Sequence, residues 1–373
     1  MRILIIDPSG TDNYCNGLAG GINKIESVDV VVRDNYIPLC GDSYPIYYYF
    51  RLSSKYAKNK ITKGLNYVKG YLKTLKLVKN RQYNVINIQW LLMYDIDIIF
   101  LKILKKYTSK LVYTAHNILP HVQGEKQIKK MRKIYEMADV IIVHGRASQE
   151  ELLDRFPNIN KSKVYIQPHG ISAPCKIEDG TESPSIRECI CNTKGRVFLY
   201  LGVIFDAKGV DRLFNFWTEN YSDYKNDLLV VAGKITEESV RYTEALNHVK
   251  GVKNFLYLPH VISQEDHDYL YKNANIIILP YRKASMSGVI FDAARFSKAL
   301  VTTNVGCIPE YLENGVDSYI VSNDDEMFCI QLKEVLNKSI IEMDSVGKKL
   351  NENINSKYNW NIISRKLIDF LIG

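Results

Sequence analysis

Short apolar, β-branched runs recur along this chain at intervals filled by helix-like segments, and that alternation restricts its fold more than any other feature. In the first half the runs lie near Ile3–Ile6, Val28–Val32, Val85–Ile88, Leu111–Thr114 and Val140–Val143, with "KVYIQPHG" closing the series. In the second they lie near Val197–Leu201, Leu228–Ala232, Phe255–Leu258, Ile276–Leu279, Leu300–Thr303 and Tyr319–Val321. Strands alternating with helices imply parallel sheets, with ligands at the carboxyl ends of strands. "SQEE" from Ser148 and "SQED" from Ser263 predict helix starts, each with a Ser cap and an acid three residues on. From Ile171 to Gly195 the periodicity lapses, which predicts a linker. The chain is therefore predicted to be α/β, with two Rossmann-like domains over 1–170 and 196–345, a linker over 171–195 and a closing segment over 346–373.

A length of 373 residues, 46% of them hydrophobic and 24% charged, suffices for two buried cores. The opening "MRILIIDPSG" predicts a first strand and not a signal sequence, and no run approaches the roughly 20 apolar residues of a membrane span. Cysteines 15, 40, 175, 189, 191, 307 and 329 are scattered and form no C-x-x-C pair, which argues against a zinc site or disulfide framework and predicts a reducing cytosol.

Charge is uneven. Residues 1–170 hold 26 Lys/Arg and 14 Asp/Glu, a net of +12, while the remainder carries −4 of the total +8. Between Arg51 and Arg81 stand ten Lys/Arg and no acid, interleaved with Tyr and Leu. Such a segment suits a helix lying on an anionic membrane, or a solvated helix with one apolar core face. No RNA-binding signature accompanies it, so nucleic acid is not expected.

Three cations follow strands of the second half: Lys208 in "YLGVIFDAKGVDRLF", Lys234 in "VVAGKITEE" and Arg282 in "ILPYRKASMSGVIFDA". Each alone is an ordinary surface residue; together they point to a crevice that neutralises a diphosphate. Ser287-Gly288 fits either a helix start that receives a phosphate or an ordinary strand-to-helix corner. Asp95-Ile-Asp97 has the D-x-D pattern of metal-dependent sugar transferases of another fold, but it precedes an apolar helical run and no metal is assigned to it.

"YTAHNILPH", "VIIVHGRASQEEL", "YIQPHG", "LGVIFDAKGVDRL", "LVVAGK", "ANIIILPYR" and "SGVIFDAARFSKALVTTNVGCIPEYLENG", in this order and spacing, resemble the GT-B fold glycosyltransferases, specifically the retaining family 4. The resemblance implies two Rossmann-like domains facing across a cleft, the first for acceptor and the second for a nucleotide sugar, with a C-terminal helix crossing back. It implies that Lys208 meets the donor phosphates with Gly202 and the backbone of Ser287, Gly288 and Val289, that Asp292 holds the ribose, and that His116 faces the donor sugar. Gly10, Asn117 and His121 fall on the acceptor side, while His144 and His169 are expected to be structural. No cofactor or metal is implied, the nucleotide-diphosphate sugar being a co-substrate. The implied acceptor is a growing bacterial surface glycan on a polyprenyl diphosphate, at the inner face of the cell membrane.

Two departures stand out. Ser285 and Asp292, six residues between them, stand near the two positions of the family's Glu-x7-Glu signature with no Glu at the first, and Val203 and Phe205 stand where a phosphate-binding Arg is usual. Arg282 is expected to replace that charge. Without a substitute, the alternative is a catalytically silent subunit that binds and stabilises an active partner.

Overall fold

The structure, a computed structural model, describes residues 1–10, 12–38, 43–120, 124–171 and 180–373. It divides into two compact units, Met1–Ala173 with Tyr358–Gly373, and Pro174–Lys357. The first contains β1 (Arg2–Asp7), α1 (Asp12–Asn23), β2 (Ser27–Arg33), β3 (Ile46–Phe50), α2 (Lys60–Arg81), β4 (Tyr83–Ile88), α3 (Tyr94–Leu104), β5 (Thr108–Thr114), α4 (Gly124–Met137), β6 (Val140–Val143), α5 (Arg146–Arg155) and β7 (Val164–Ile166). Its seven strands form one parallel sheet in the order β3-β2-β1-β4-β5-β6-β7. Side chains alternate between two cores. Leu4 and Ile6 join Phe50, Tyr67 and Tyr71 on one face, and Ile3 and Ile5 join Leu18 and Ile22 on the other.

The edge strand β3, "IYYYF", is missing from the sequence prediction, because only Phe50 of its five residues is buried and the run has no strong apolar signal. Helix α5 begins at Arg146 after Gly145, so Ser148 is a buried residue inside it and not its cap. Ser263 does cap its helix, accepting from the Asp266 amide at 3.1 Å. Asp97 of the D-x-D pair is buried and accepts from Tyr67 (2.6 Å), Tyr71 (2.8 Å) and the Met93 amide (2.9 Å). Asp95 instead pairs with Lys130 at 2.7 Å, so the two carboxylates serve separate structural contacts.

The second unit contains α6 (Pro184–Cys191), β8 (Val197–Leu201), α7 (Val210–Asn220), β9 (Leu228–Ala232), α8 (Val240–Val249), β10 (Phe255–Leu258), α9 (Gln264–Asn273), β11 (Ile276–Leu279), α10 (Val289–Arg295), β12 (Ala299–Thr303), β13 (Tyr319–Val321), α11 (Asp325–Leu336) and α12 (Ile340–Lys357). The six strands are parallel in the order β10-β9-β8-β11-β12-β13. Helix α6 lies within the span read from sequence as linker. Pro184 starts it, Ile186 and Ile190 bury one side, and Ser183 bonds Asp266 through both its amide and its hydroxyl at 2.7 Å. Two apolar residues four apart are too few to register as a helical pattern.

The closing segment is divided as well. Helix α12 packs on α10 and β12 within the second unit, whereas α13 (Trp360–Ile372) packs on α1 of the first. Gly17 and Gly21, one turn apart on α1, make a notch for α13: a Cβ at Gly17 would collide with the Trp360 indole, and one at Gly21 with Ser364.

Arg212 ties the second unit together. Its buried guanidinium donates from Nε to the Pro280 carbonyl (2.8 Å), from NH1 to Asn323 O (2.9 Å) and Asp325 (3.1 Å), and from NH2 to Asn323 Oδ1 (3.0 Å). It also lies 4.7 Å from the Phe328 ring centre. Arg212→Ala leaves the carbonyl of buried Pro280 without this donor, frees Asn323 and Asp325 and removes this packing, so it is expected to destabilise the second unit by about 3 kcal/mol in chemical denaturation. An unchanged midpoint would deny Arg212 this role.

Candidate functional site

Strand order reverses direction between β8 and β11, and open parallel sheets bind ligands in the crevice at the carboxyl ends of such a pair. Here the two strand-end loops are laced together. The amides of Arg282 and Lys283 donate to the Ala207 carbonyl at 2.9 and 3.0 Å. Gly209 (φ +63°) lies so close to the Pro280 carbonyl that no Cβ fits between them. This lacing brings Lys208 over Tyr281, with Nζ 3.7 Å from the ring centre and 5.7 Å from that of Phe205. Lys208 is half-buried, and among the described residues it has no carboxylate partner within 4.0 Å.

Tyr281 extends the arrangement, its hydroxyl lying 3.1 Å from Oγ of buried Ser287. Gly288 precedes α10, and the space where its Cβ would stand is open. Among the described residues the amides of Ser287, Gly288 and Val289 make no backbone hydrogen bond. Helix α10 has only seven residues, so its dipole is a smaller attraction for an anion than the sequence implies, and Lys208 dominates the local charge. Gly202 follows β8, its amide donating to Ala232 O at 3.0 Å, and Lys234 is exposed at the end of β9.

Arg282 does not supply the second free cation expected of it. It pairs with Asp211 at 2.5 Å and Asp325 at 3.0 Å, and its side chain is 16% exposed. Burial opposes its charge, but the two carboxylates outweigh that and hold the guanidinium protonated more firmly than usual. Its charge is consumed in the same network that fixes Arg212.

In the first unit a ring cluster forms where β4, β5, β6 and β7 end. His116 stacks on Trp90 with centres 4.5 Å apart and planes 3° from parallel. Its Nε2 lies 3.1 Å from Gln89 Oε1 and its Nδ1 3.1 Å from Nε2 of His144, whose Nδ1 donates to the Gln167 carbonyl at 3.1 Å. Tyr14 of α1 touches all three imidazoles, those of His116, His144 and His169, at 4.7 to 5.2 Å between ring centres. Both nitrogens of His116 thus meet protein groups, and a substrate hydrogen bond requires one of these contacts to open. Gly10 follows β1 at φ +79°, and Asn117 follows β5 half-buried; His121 lies outside the described residues.

Residues 195–338 match the family model described as Glycosyl transferases group 1. Anabaena Alr3699/HepE, solved in complex with UDP and glucose, superposes with a TM-score of 0.70 at 13% identity, covering 100% of both chains. The chain has the GT-B fold, and its second unit carries the match to glycosyl transferases group 1. It is 21% identical over 280 residues to alpha-maltose-1-phosphate synthase of Mycolicibacterium smegmatis, covering 69% of this chain and 71% of that protein. The capsular polysaccharide biosynthesis glycosyltransferase CapM of Staphylococcus aureus is 24% identical over 170 residues, 45% of this chain and 43% of CapM.

The sequence pattern alone does not single out Gln89, Trp90 and Gln167 and treats His144 and His169 separately from His116. A signal was present: successive first-half strands are each followed within two residues by Gln or His, at Gln89, His116, His144 and Gln167. Buried Trp90 Nε1 and Gln167 Oε1 have no hydrogen-bond partner among the described residues. Desolvation pushes the His116 pKa well down, and those of His144 and His169 to about 4 and about 3. The neutral folded rings therefore refuse protons that the unfolded chain takes up below about pH 6.5. Stability of the first unit is expected to fall as pH drops from 6.5 towards 4, with a shallower slope in a His144→Gln/His169→Gln variant. Equal slopes in urea titrations of the two proteins would contradict this assignment.

Proposed function

We propose that this glycosyltransferase moves a sugar from a nucleotide-diphosphate donor to a glycan acceptor in surface polysaccharide synthesis, with retention of anomeric configuration. The observation that carries this reading is Lys208, a half-buried cation without a carboxylate partner among the described residues, set on Tyr281 at the β8/β11 reversal. As the glycosidic bond to the donor breaks, negative charge grows on the leaving diphosphate. A fixed cation and the Ser287–Val289 amides stabilise that charge more than they stabilise the intact donor. The leaving phosphate itself takes the acceptor proton in a front-face substitution, so no protein base is required. Asp292 holds the ribose, His116 meets the donor sugar, and Asn117 and Gly10 bind the acceptor. The UDP and glucose of the HepE complex and the capsular role in the name CapM support the donor class and the pathway.

Lys208→Ala is expected to weaken nucleotide-diphosphate binding and lower turnover by about 10²-fold. Thermal shifts with UDP, GDP, CMP and TDP identify the base, since a bound ligand raises stability in proportion to the logarithm of its saturation. The pairing of Arg282 favours a second reading, the catalytically silent subunit, because it takes from the site a cation that was expected to meet the donor. That reading requires the purified chain to be inactive with every donor and to become active only with a partner transferase.

The acceptor is proposed to be linked to a polyprenyl diphosphate, with the enzyme docked on the inner face of the cell membrane through α2. No helix among the described residues is long and apolar enough to cross a membrane. Helix α2 buries Tyr67, Tyr71, Leu77 and Val78, yet leaves Ile61, Leu65 and Leu72 at 75%, 56% and 54% exposure. At 100° per residue these three form one stripe, beside exposed Lys69, Lys73 and Lys76. An apolar stripe edged by lysines complements an anionic lipid surface, at about 1 kcal/mol per lysine brought near it. Binding to phosphatidylglycerol-containing liposomes is expected to fall with salt and to be lost on changing Lys69, Lys73 and Lys76 to Glu, with nucleotide binding retained. Failure of the wild type to bind such liposomes at low salt excludes this docking mode.

A further inference from the structure

The carboxylate proposed to hold the ribose has a partner that no sequence pattern indicated. His267, on α9, lies between two acids: Nδ1 is 2.8 Å from Asp268 Oδ1 and Nε2 is 3.8 Å from Asp292 Oδ2. Asp268 is already engaged, with Oδ1 also accepting from Arg295 NH2 and Gln264 Nε2, each at 2.8 Å. Asp292 has no other protein partner among the described residues, and its side chain is 22% exposed. Its Oδ2 therefore faces the imidazole as an ion pair beyond hydrogen-bond length, while Oδ1 is available among the described residues. The hydroxyl of Tyr271, whose ring centre is 4.6 Å from that of His267, is fully buried and also lacks a partner.

Resting on the reading of Asp292 as the ribose-binding residue, we propose that His267 is its positioning residue: a doubly protonated imidazole that neutralises Asp292 and orients its free oxygen towards the sugar hydroxyls. The charges that face it are Asp268 from its own helix, and Asp292 and Arg295 from α10, with Tyr271 and Phe296 supplying the apolar contacts. With His267 protonated, two carboxylates meet two cations and the cluster is neutral. Loss of that proton leaves a net negative charge beside a site that must accept a diphosphate, and frees Asp292 to turn. Burial opposes the imidazolium, but the contacts with Asp268 and Asp292 prevail and raise its pKa to about 9, so the proton is retained at physiological pH.

The test compares UDP, GDP and CDP with their 2′,3′-dideoxy analogues by calorimetry on the full chain. The wild type is expected to prefer the ribose form of its nucleotide by about 10-fold, as for loss of a hydrogen bond to a charged group, and to lose that preference as pH rises through about 9. His267→Gln is expected to bind both forms alike at every pH. A general structural defect would instead weaken both and preserve their ratio. NMR titration of the wild-type His267 ring adds a readout that needs no variant, and a value near 6.5 overturns the proposal. Failure of every nucleotide to bind removes the donor-site reading and the proposal with it. Binding without any ribose preference removes the role of Asp292. A preference that persists in His267→Gln overturns the role of His267 alone.

Discussion

A buried arginine must find hydrogen bonds or unfold its surroundings, and Arg212 finds them on two separate segments of the second unit. The guanidinium reaches the end of β11 at Pro280 and the β13–α11 corner at Asn323 and Asp325, from a helix that itself follows β8. Because Arg282 shares Asp325 with Arg212 and also pairs with Asp211, the loop that carries Tyr281 is fixed in turn. Lys208 owes its place over Tyr281 to that fixed loop. The free cation of the candidate donor site thus depends on cations that are not free.

The two units manage buried ionisable groups in opposite ways. The first keeps His116, His144 and His169 neutral by excluding water, and stacks them with Tyr14, Trp90 and Trp360. The second keeps its groups charged and matched, as in Arg212 with Asp325, Arg282 with Asp211, and His267 with Asp268 and Asp292. Neutral rings offer π-faces and edges suited to a glycan. Matched ions beside Lys208, which has no carboxylate partner among the described residues, fit the anionic ligand proposed for this unit.

The same contrast explains why Arg282 was a misleading signal. A cation placed after a strand in sequence looks identical whether it faces a ligand or an aspartate from another helix. Asp211 stands only three residues beyond Lys208, yet it is Arg282, 71 residues further on, that it neutralises. Proximity of that kind has no one-dimensional trace.

The sequence by itself determined the alternation of strands and helices, the two-unit α/β organisation and the family resemblance, because buried parallel strands demand continuous β-branched runs and strand-end turns demand glycine. It also exposed Lys208, Ser287 and Gly288 as neighbours of strand ends. Only the tertiary structure decided what depends on pairing across distant segments: the edge strand β3, whose tyrosines are stabilised by neighbours more than by pattern, and helix α6, too short to show a period. It likewise decided the capture of Arg282 by two acids, the joining of three histidines into one cluster and the placing of His267 against Asp292. Local propensity acts over a few residues, whereas desolvation and charge compensation act through space, and the candidate functional groups of this chain are set by the latter.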